Sequence, residues 1–137
     1  MLSELVQLSF DKIMQTRAYT VVVLGAGEKR FAIYTDPSIG RTLQLYLTGG
    51  EKPRPLTHDL MNFIFKGMNV HIRQVVINDL QDTTYFARLF LEQEIDGIRH
   101  IIEVDARPSD CITLALMNNV PVFCTHEVLE KTIPITD

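Results

Sequence analysis

The sequence predicts an α/β domain of the α+β type, with a mixed, largely antiparallel sheet and three or four short helices. Three observations lead there. Runs rich in Val, Ile, Thr, Tyr and Phe recur along the chain, separated by turns containing Gly or Asp. Helical periodicity is confined to short stretches, each opened by Pro, Ser or Thr. A strand pair followed by a helix also occurs twice, with a partly repeated sequence.

In order, Val6, Leu8 and Phe10 alternate with polar neighbours and read as a first strand. Residues 19–24 and 31–34 form a hairpin around a loop containing Gly25 and Gly27. That Gly-x-Gly lacks a third glycine and joins two strands, so it is not a dinucleotide-binding turn. Asp36, Pro37 and Ser38 open a short helix carrying Ile39, Leu43 and Leu47, and residues 49–55 form a breaker-rich connector. Thr57 is the expected N-cap of a helix over 58–68, with Leu60, Ile64 and Met68 on its buried face. Residues 70–77 and 84–91 read as strands joined by a turn at 81–83. A third strand begins at Gly97. Ile98, His100, Ile102 and Val104 share one of its faces; Arg99, Ile101, Glu103 and Asp105 share the other. A helix through Ile112 and Leu116 ends near Asn118 and Asn119, residues 121–124 make a short buried strand, and a helical turn covers 127–130.

The repeat aligns residues 36–45 with 107–116, where Pro, Ser, Thr and two Leu coincide without a gap. The second copy carries Asp110 where the first has Ile39.

At 137 residues the chain suits one domain, over 1–137, with a single core. The formal charge of −4 excludes a chain-wide basic footprint for nucleic acid, so polyanion binding requires a local patch. Cys111 and Cys124 sit in apolar segments without metal-type spacing and read as buried free thiols in a reducing compartment. The first residues lack the basic and apolar regions of a signal peptide, and no apolar run approaches a membrane span. The expectation is a cytoplasmic chain with no membrane contact.

Chemistry concentrates between Glu103 and Asp110, where four charged groups and the Ser109 hydroxyl lie at a strand end and helix start. Pro108 and Asp110 suit a first helical turn, through fixed φ and the helix dipole, and Ser109 suits a cap. The same residues carry a second meaning. Glu103 and Asp105 project from one strand face about 7 Å apart. With Asp110 they would hold Mg2+ or Mn2+, leaving most ligands as water. Arg107 would clamp a phosphate, or else neutralise Asp105 or Asp110. A second group lies at His58 and Asp59. A histidine at a helix N-terminus tends to stay neutral and can act as a general base, with Asp59 orienting it or simply favouring the helix start.

Three sets of residues carry a resemblance: residues 53–60 with their His58-Asp59-Leu60 element, strand segments 75–80 and 84–89, and Asp105-Ala106-Arg107-Pro108-Ser109-Asp110 followed by 120–123. In order and spacing they resemble the bifunctional nuclease domain family. The resemblance covers nearly the whole chain and is clearest from Arg54 to Leu129. It implies a compact α/β domain, a homodimer, and cleavage of both DNA and RNA. Its polar motif positions fall on His58, Asp59, Asp105, Arg107, Ser109 and Asp110. Two positions depart from the family pattern: Ile39 stands where a glutamate is usual, and Cys111 where an alanine is common.

Two functions follow. One is a nuclease hydrolysing phosphodiester bonds of DNA and RNA through backbone contacts, without strong sequence preference. In it Asp105, Asp110 and Glu103 hold a divalent ion, His58 and Asp59 activate water, Arg107 and Ser109 support the phosphate, and no organic cofactor takes part. The other is a non-catalytic dimeric regulatory or protein-interaction domain, in which the same residues form a structural network. The acidic balance and Ile39 favour the second; the resemblance favours the first.

Overall fold

The computed structural model describes residues 4–135. Residues 1–3, on which the expectation about a signal peptide bears, lie outside the described residues, as do 136 and 137. Three strands come first, β1 (Leu5–Gln15), β2 (Thr20–Ala26) and β3 (Lys29–Thr35), followed by α1 (Pro37–Thr48). After α2 (Thr57–Gly67) the pattern returns as β4 (Val70–Gln81), β5 (Thr84–Ile95), β6 (Ile98–Ala106) and α3 (Pro108–Asn118). The last elements are β7 (Val122–Thr125) and α4 (His126–Lys131).

All seven strands join one sheet in the order β3-β2-β1-β7-β4-β5-β6. The four-residue β7 sits at its centre, antiparallel to β1 and parallel to β4; every other pairing is antiparallel. This is the mixed, largely antiparallel sheet expected from sequence, and its four helices fall within the three or four expected. The repeat is also larger than its sequence trace, because each half is a three-stranded meander that ends in a helix. Equivalent positions of α1 and α3 meet. Arg107 lies 3.6 Å from Asp36, and the Tyr46 hydroxyl donates to the Met117 carbonyl at 3.4 Å. The two helices therefore run side by side in the same direction.

Local chemistry sets the boundaries. Asp36 caps α1 by accepting from the Ile39 amide, Pro37 supplies the first-turn φ, and Gly49 ends the helix at φ 68°. Pro108 opens α3, and Asn119 closes it at φ 54°. Asp96 and Gly97, at φ 51° and 77°, form the two-residue turn between β5 and β6, so β6 starts at Ile98. Strands β4 and β5 each extend four residues beyond the expected stretches, and Tyr85, near their turn, stacks on Phe31 at 5.9 Å.

The core lies between the inner sheet face and α3. Val22, Leu24, Phe31, Ile33, Val75, Ile77, Leu89 and Leu91 meet Ile112, Leu114 and Ala115 there. Each Val, Leu, Ile or Phe among them contributes about 1.5–3 kcal/mol on burial. Helix α3 is buried on nearly every side, and Cys111 and Cys124 are free, buried thiols.

Helix α2 corrects the sequence reading. Leu60, Ile64 and Met68 are exposed, at 54%, 49% and 59%. The face turned inward carries His58, Met61, Asn62 and Phe65. Two of these are polar, and both have partners on α3, which is why hydrophobicity alone selected the wrong stripe. The cap also differs. Thr57 is already helical, Leu56 holds the N-cap position, and Asp59 accepts from the Leu56 amide at 2.8 Å. On α1, Ile39 and Leu43 are buried as expected, but Leu47 is exposed.

Candidate functional site

Polar groups gather at the start of α3. Because Pro108 fixes the first turn, Arg107 stays extended at the N-cap position and Asp110 projects from the first turn. The Arg107 guanidinium folds back on that carboxylate, with Nε 2.8 Å from Oδ2 and Nη2 3.2 Å from Oδ1. This two-pronged contact raises the guanidinium's pKa. From the other side, His58 on α2 places Nε2 3.0 Å from Asp110 Oδ1. The histidine is 4% exposed, whereas the Arg107 side chain is 62% exposed. The three groups form a line from interior to surface: imidazole, carboxylate, guanidinium.

Asp36 extends that line at the surface, 3.6 Å from Arg107. A hydrogen bond from the Ser38 hydroxyl, then one from the Ile39 amide, holds its carboxyl below the usual range. Sequence reasoning saw Asp36 only as a helix opener. The available signal was the repeat, which aligns Asp36 with Arg107.

Beside Arg107 lies a cleft of about 270 Å³ between the end of β3, the β4–β5 turn and the start of α3. Six of the residues lining it carry hydroxyls: Tyr34, Thr35, Thr83, Thr84, Tyr85 and Ser109. Ser109 is itself buried, at 4% exposure. Exposed guanidinium and hydroxyl donors around an open cleft can take anionic oxygens.

The expected residues divide accordingly. His58, Arg107 and Asp110 come together across 52 residues of sequence, and Ser109 forms part of the cleft wall. Asp59 turns instead to the Lys52 ammonium at 2.7 Å and the Leu56 amide, which depress its pKa in that order. It caps its own helix and makes no hydrogen bond with His58. Glu103 faces Arg88 at 3.7 Å, and Asp105 lies exposed, adding to burial and Asp110 in raising the Cys111 thiol. Among the described residues, no three His, Cys, Asp or Glu side chains gather closely enough to hold a metal ion. Both Asp110 oxygens are already bonded. Asp105, Asp110 and Glu103 as arranged do not fit Mg2+ or Mn2+.

The fold and this line define an α/β domain whose polar centre is built at the joint between an internal repeat's two helices. The chain belongs to the bifunctional nuclease domain family, whose model matches residues 22–135. An uncharacterized protein of Mycobacterium tuberculosis is 34% identical over 105 residues, covering 77% of this chain and 60% of its own length. Bifunctional nuclease 1 of Oryza sativa subsp. indica and the bifunctional nuclease of Oryza minuta are each 28% identical over 76 residues, covering 56% of this chain and 23% of their own. The chain thus spans less than two thirds of these relatives. Among the described residues, no helix is long and apolar enough to cross a membrane.

Proposed function

We propose that this chain hydrolyses phosphodiester bonds in DNA and RNA, working as a homodimer in the cytoplasm and gripping backbone phosphate rather than base edges. The observation that carries the reading is the His58–Asp110–Arg107 line opening beside a hydroxyl-lined cleft, in a chain of this family. Arg107 is the exposed member, suited to bind a phosphate oxygen and stabilise the charge that develops during attack. Drawing the guanidinium onto phosphate frees Asp110 Oδ2. That oxygen then orients the attacking water and takes its proton as the water oxygen bonds to phosphorus and the opposite P–O ester bond breaks, the leaving oxygen taking a proton from solvent, while His58 holds the other Asp110 oxygen in place. His58 is a positioning residue here, since it is buried behind Asp110. Ser109 and the Thr hydroxyls steady the phosphate. Backbone contacts give no base selectivity.

The non-catalytic reading draws on two observations: both Asp110 oxygens are already bonded within the chain, and Ile39, where the family pattern has a glutamate, is packed in the core at 6% exposure. One experiment separates the two. Highly purified chain is incubated with DNA and RNA, with and without Mg2+ or Mn2+, beside Asp110→Asn and Arg107→Ala. Catalysis requires cleavage of both substrates and a loss of about a hundredfold or more in each variant. Equal cleavage by wild type and variants would mean contamination or a misplaced site.

A further inference from the structure

The two outer edges of the sheet are treated differently. Along β3, the Ile135 amide donates to the Arg30 carbonyl and the Lys29 ammonium to the Leu129 carbonyl, so the end of the described chain covers that edge. Along β6, nine residues run beside β5 with no register break, and no described strand pairs with the outer side. Ile98, Ile101, Ile102 and Val104 are exposed there at 61%, 53%, 40% and 38%. Proteins ordinarily blunt such an edge with a proline, a bulge, a cover or charged side chains. Among the described residues β6 has only the last, and its Arg99 and Glu103 are of opposite sign.

The strand carries its own complement. Two copies laid antiparallel about Ile101 place Arg99 opposite the partner's Glu103, Ile98 opposite the partner's Val104, and Ile101 opposite itself. Backbone phase agrees. A two-residue turn is closed by a hydrogen-bonded pair, here Ile95 and Ile98, so 98, 100, 102 and 104 direct their amides at β5. Alternation then leaves the amides of 99, 101 and 103 facing outward, and these are the residues that meet in this register. Sliding the pair two residues either way sets Ile101 against Arg99 or Glu103, losing the match.

The flanking helix suits the same arrangement. Gln93 on β5 donates to the Met68 carbonyl at 2.8 Å, and Gln93 pairs with His100 on β6. The exposed stripe Leu60, Ile64 and Met68 ends beside the sheet face carrying Ile102 and Val104.

We infer that β6 is the surface through which two copies of this chain associate, edge to edge about a two-fold axis at Ile101, making one continuous sheet. The inference deepens the homodimer part of the proposed function and is independent of its chemistry.

Charge exchange tests it. Within the chain, Arg99 is 3.1 Å from Glu92, and Glu103 is 3.7 Å from Arg88. In Arg99→Glu both cross-axis pairs become acid against acid; in Glu103→Arg both become base against base. Sedimentation of the whole chain at micromolar concentration should give a dimer for wild type. Each variant alone should associate on the order of tenfold more weakly. An equimolar mixture should recover the dimer, because both cross-axis pairs are then opposite in charge. Each chain keeps the same internal neighbours in the mixture, so mixing does not rescue a folding defect. Should either variant fail to fold, Ile101→Lys sets two ammonium groups on the axis and should give a monomer. A variant as dimeric as wild type, or a mixture no more dimeric than its components, overturns the inference. A wild-type dimer indifferent to these changes removes this surface but leaves the homodimer reading standing. A wild-type monomer removes both.

Discussion

A double-mutant cycle on the site tests whether its stability lies in the buried or the exposed contact. The perturbations are His58→Ala, Arg107→Ala and Asp110→Ala, singly and in the two pairs that include Asp110. The His58 side chain is 5% exposed and that of Asp110 20%, with 3.0 Å between their polar atoms. Hydrogen bonds to charged groups are worth about 1.5–3 kcal/mol, and partial exposure of Asp110 brings the expected coupling to about 1–2 kcal/mol. Arg107 contacts Asp110 at the shorter 2.8 Å, but its side chain is 62% exposed. Solvent screening and side-chain entropy reduce that coupling to about 0.5 kcal/mol or less. The shorter contact is therefore the weaker one. Urea unfolding at neutral pH, followed by circular dichroism on all six proteins, gives both couplings. An Arg107 coupling larger than that of His58, or two couplings near zero, would refute the reasoning from burial.

Three further outcomes follow. Gly40→Ala should destabilise by about 1–3 kcal/mol in thermal unfolding, because its Cβ would stand 1.9 Å from Gln15 Oε1 and 2.1 Å from Thr20 Oγ1; a raised melting temperature would show that only helix propensity matters there. The Cys111 and Cys124 thiols, pushed by burial up to about 12 and about 11, should resist a thiol reagent at pH 8 in the folded chain and react fully in denaturant. Fast labelling of either without denaturant would contradict their placement. Asp36 and Asp59 both have folded pKa values below the ordinary carboxylate value of 3.8, so their stabilisation is present above that value and is lost as pH falls through the depressed ones. Asp59→Asn should flatten the acid limb of stability against pH, and an unchanged limb would remove the Lys52 pair from the account.

The elements were legible because strands and helices announce themselves through periodicity and turn residues. Asp36, Pro37, Pro108 and Gly97 act locally, so their effects can be read without knowing the fold. The face of α2 was not legible in the same way. Its inward side includes His58 and Asn62, whose burial depends on Asp110 and Asn118, partners supplied by another helix. Hydrophobicity along one helix carries no record of them. The site was half legible. Polar residues at two helix starts pointed to His58 and Asp110, and the fold brings them together. Of the two roles open to Asp59, the fold fills the one at the helix start, because an acid at the third helical position satisfies its own backbone first. Arg107 and Asp36 meet only because α1 and α3 lie parallel, a consequence of sheet order.

That sheet order has a kinetic consequence. β7, of four residues, leaves the ribosome after the six other described strands, yet it is the strip to which both meanders are hydrogen-bonded. Until residue 125 is available, β1 and β4 each have an open edge facing nothing, and the halves cannot share a sheet. Folding must therefore wait for a late, long-range docking event, with β1 meeting its neighbour across more than a hundred residues. Nascent chains stalled before Val122 should hold two sticky half-sheets, open to chaperone capture and to pairing with the wrong chain.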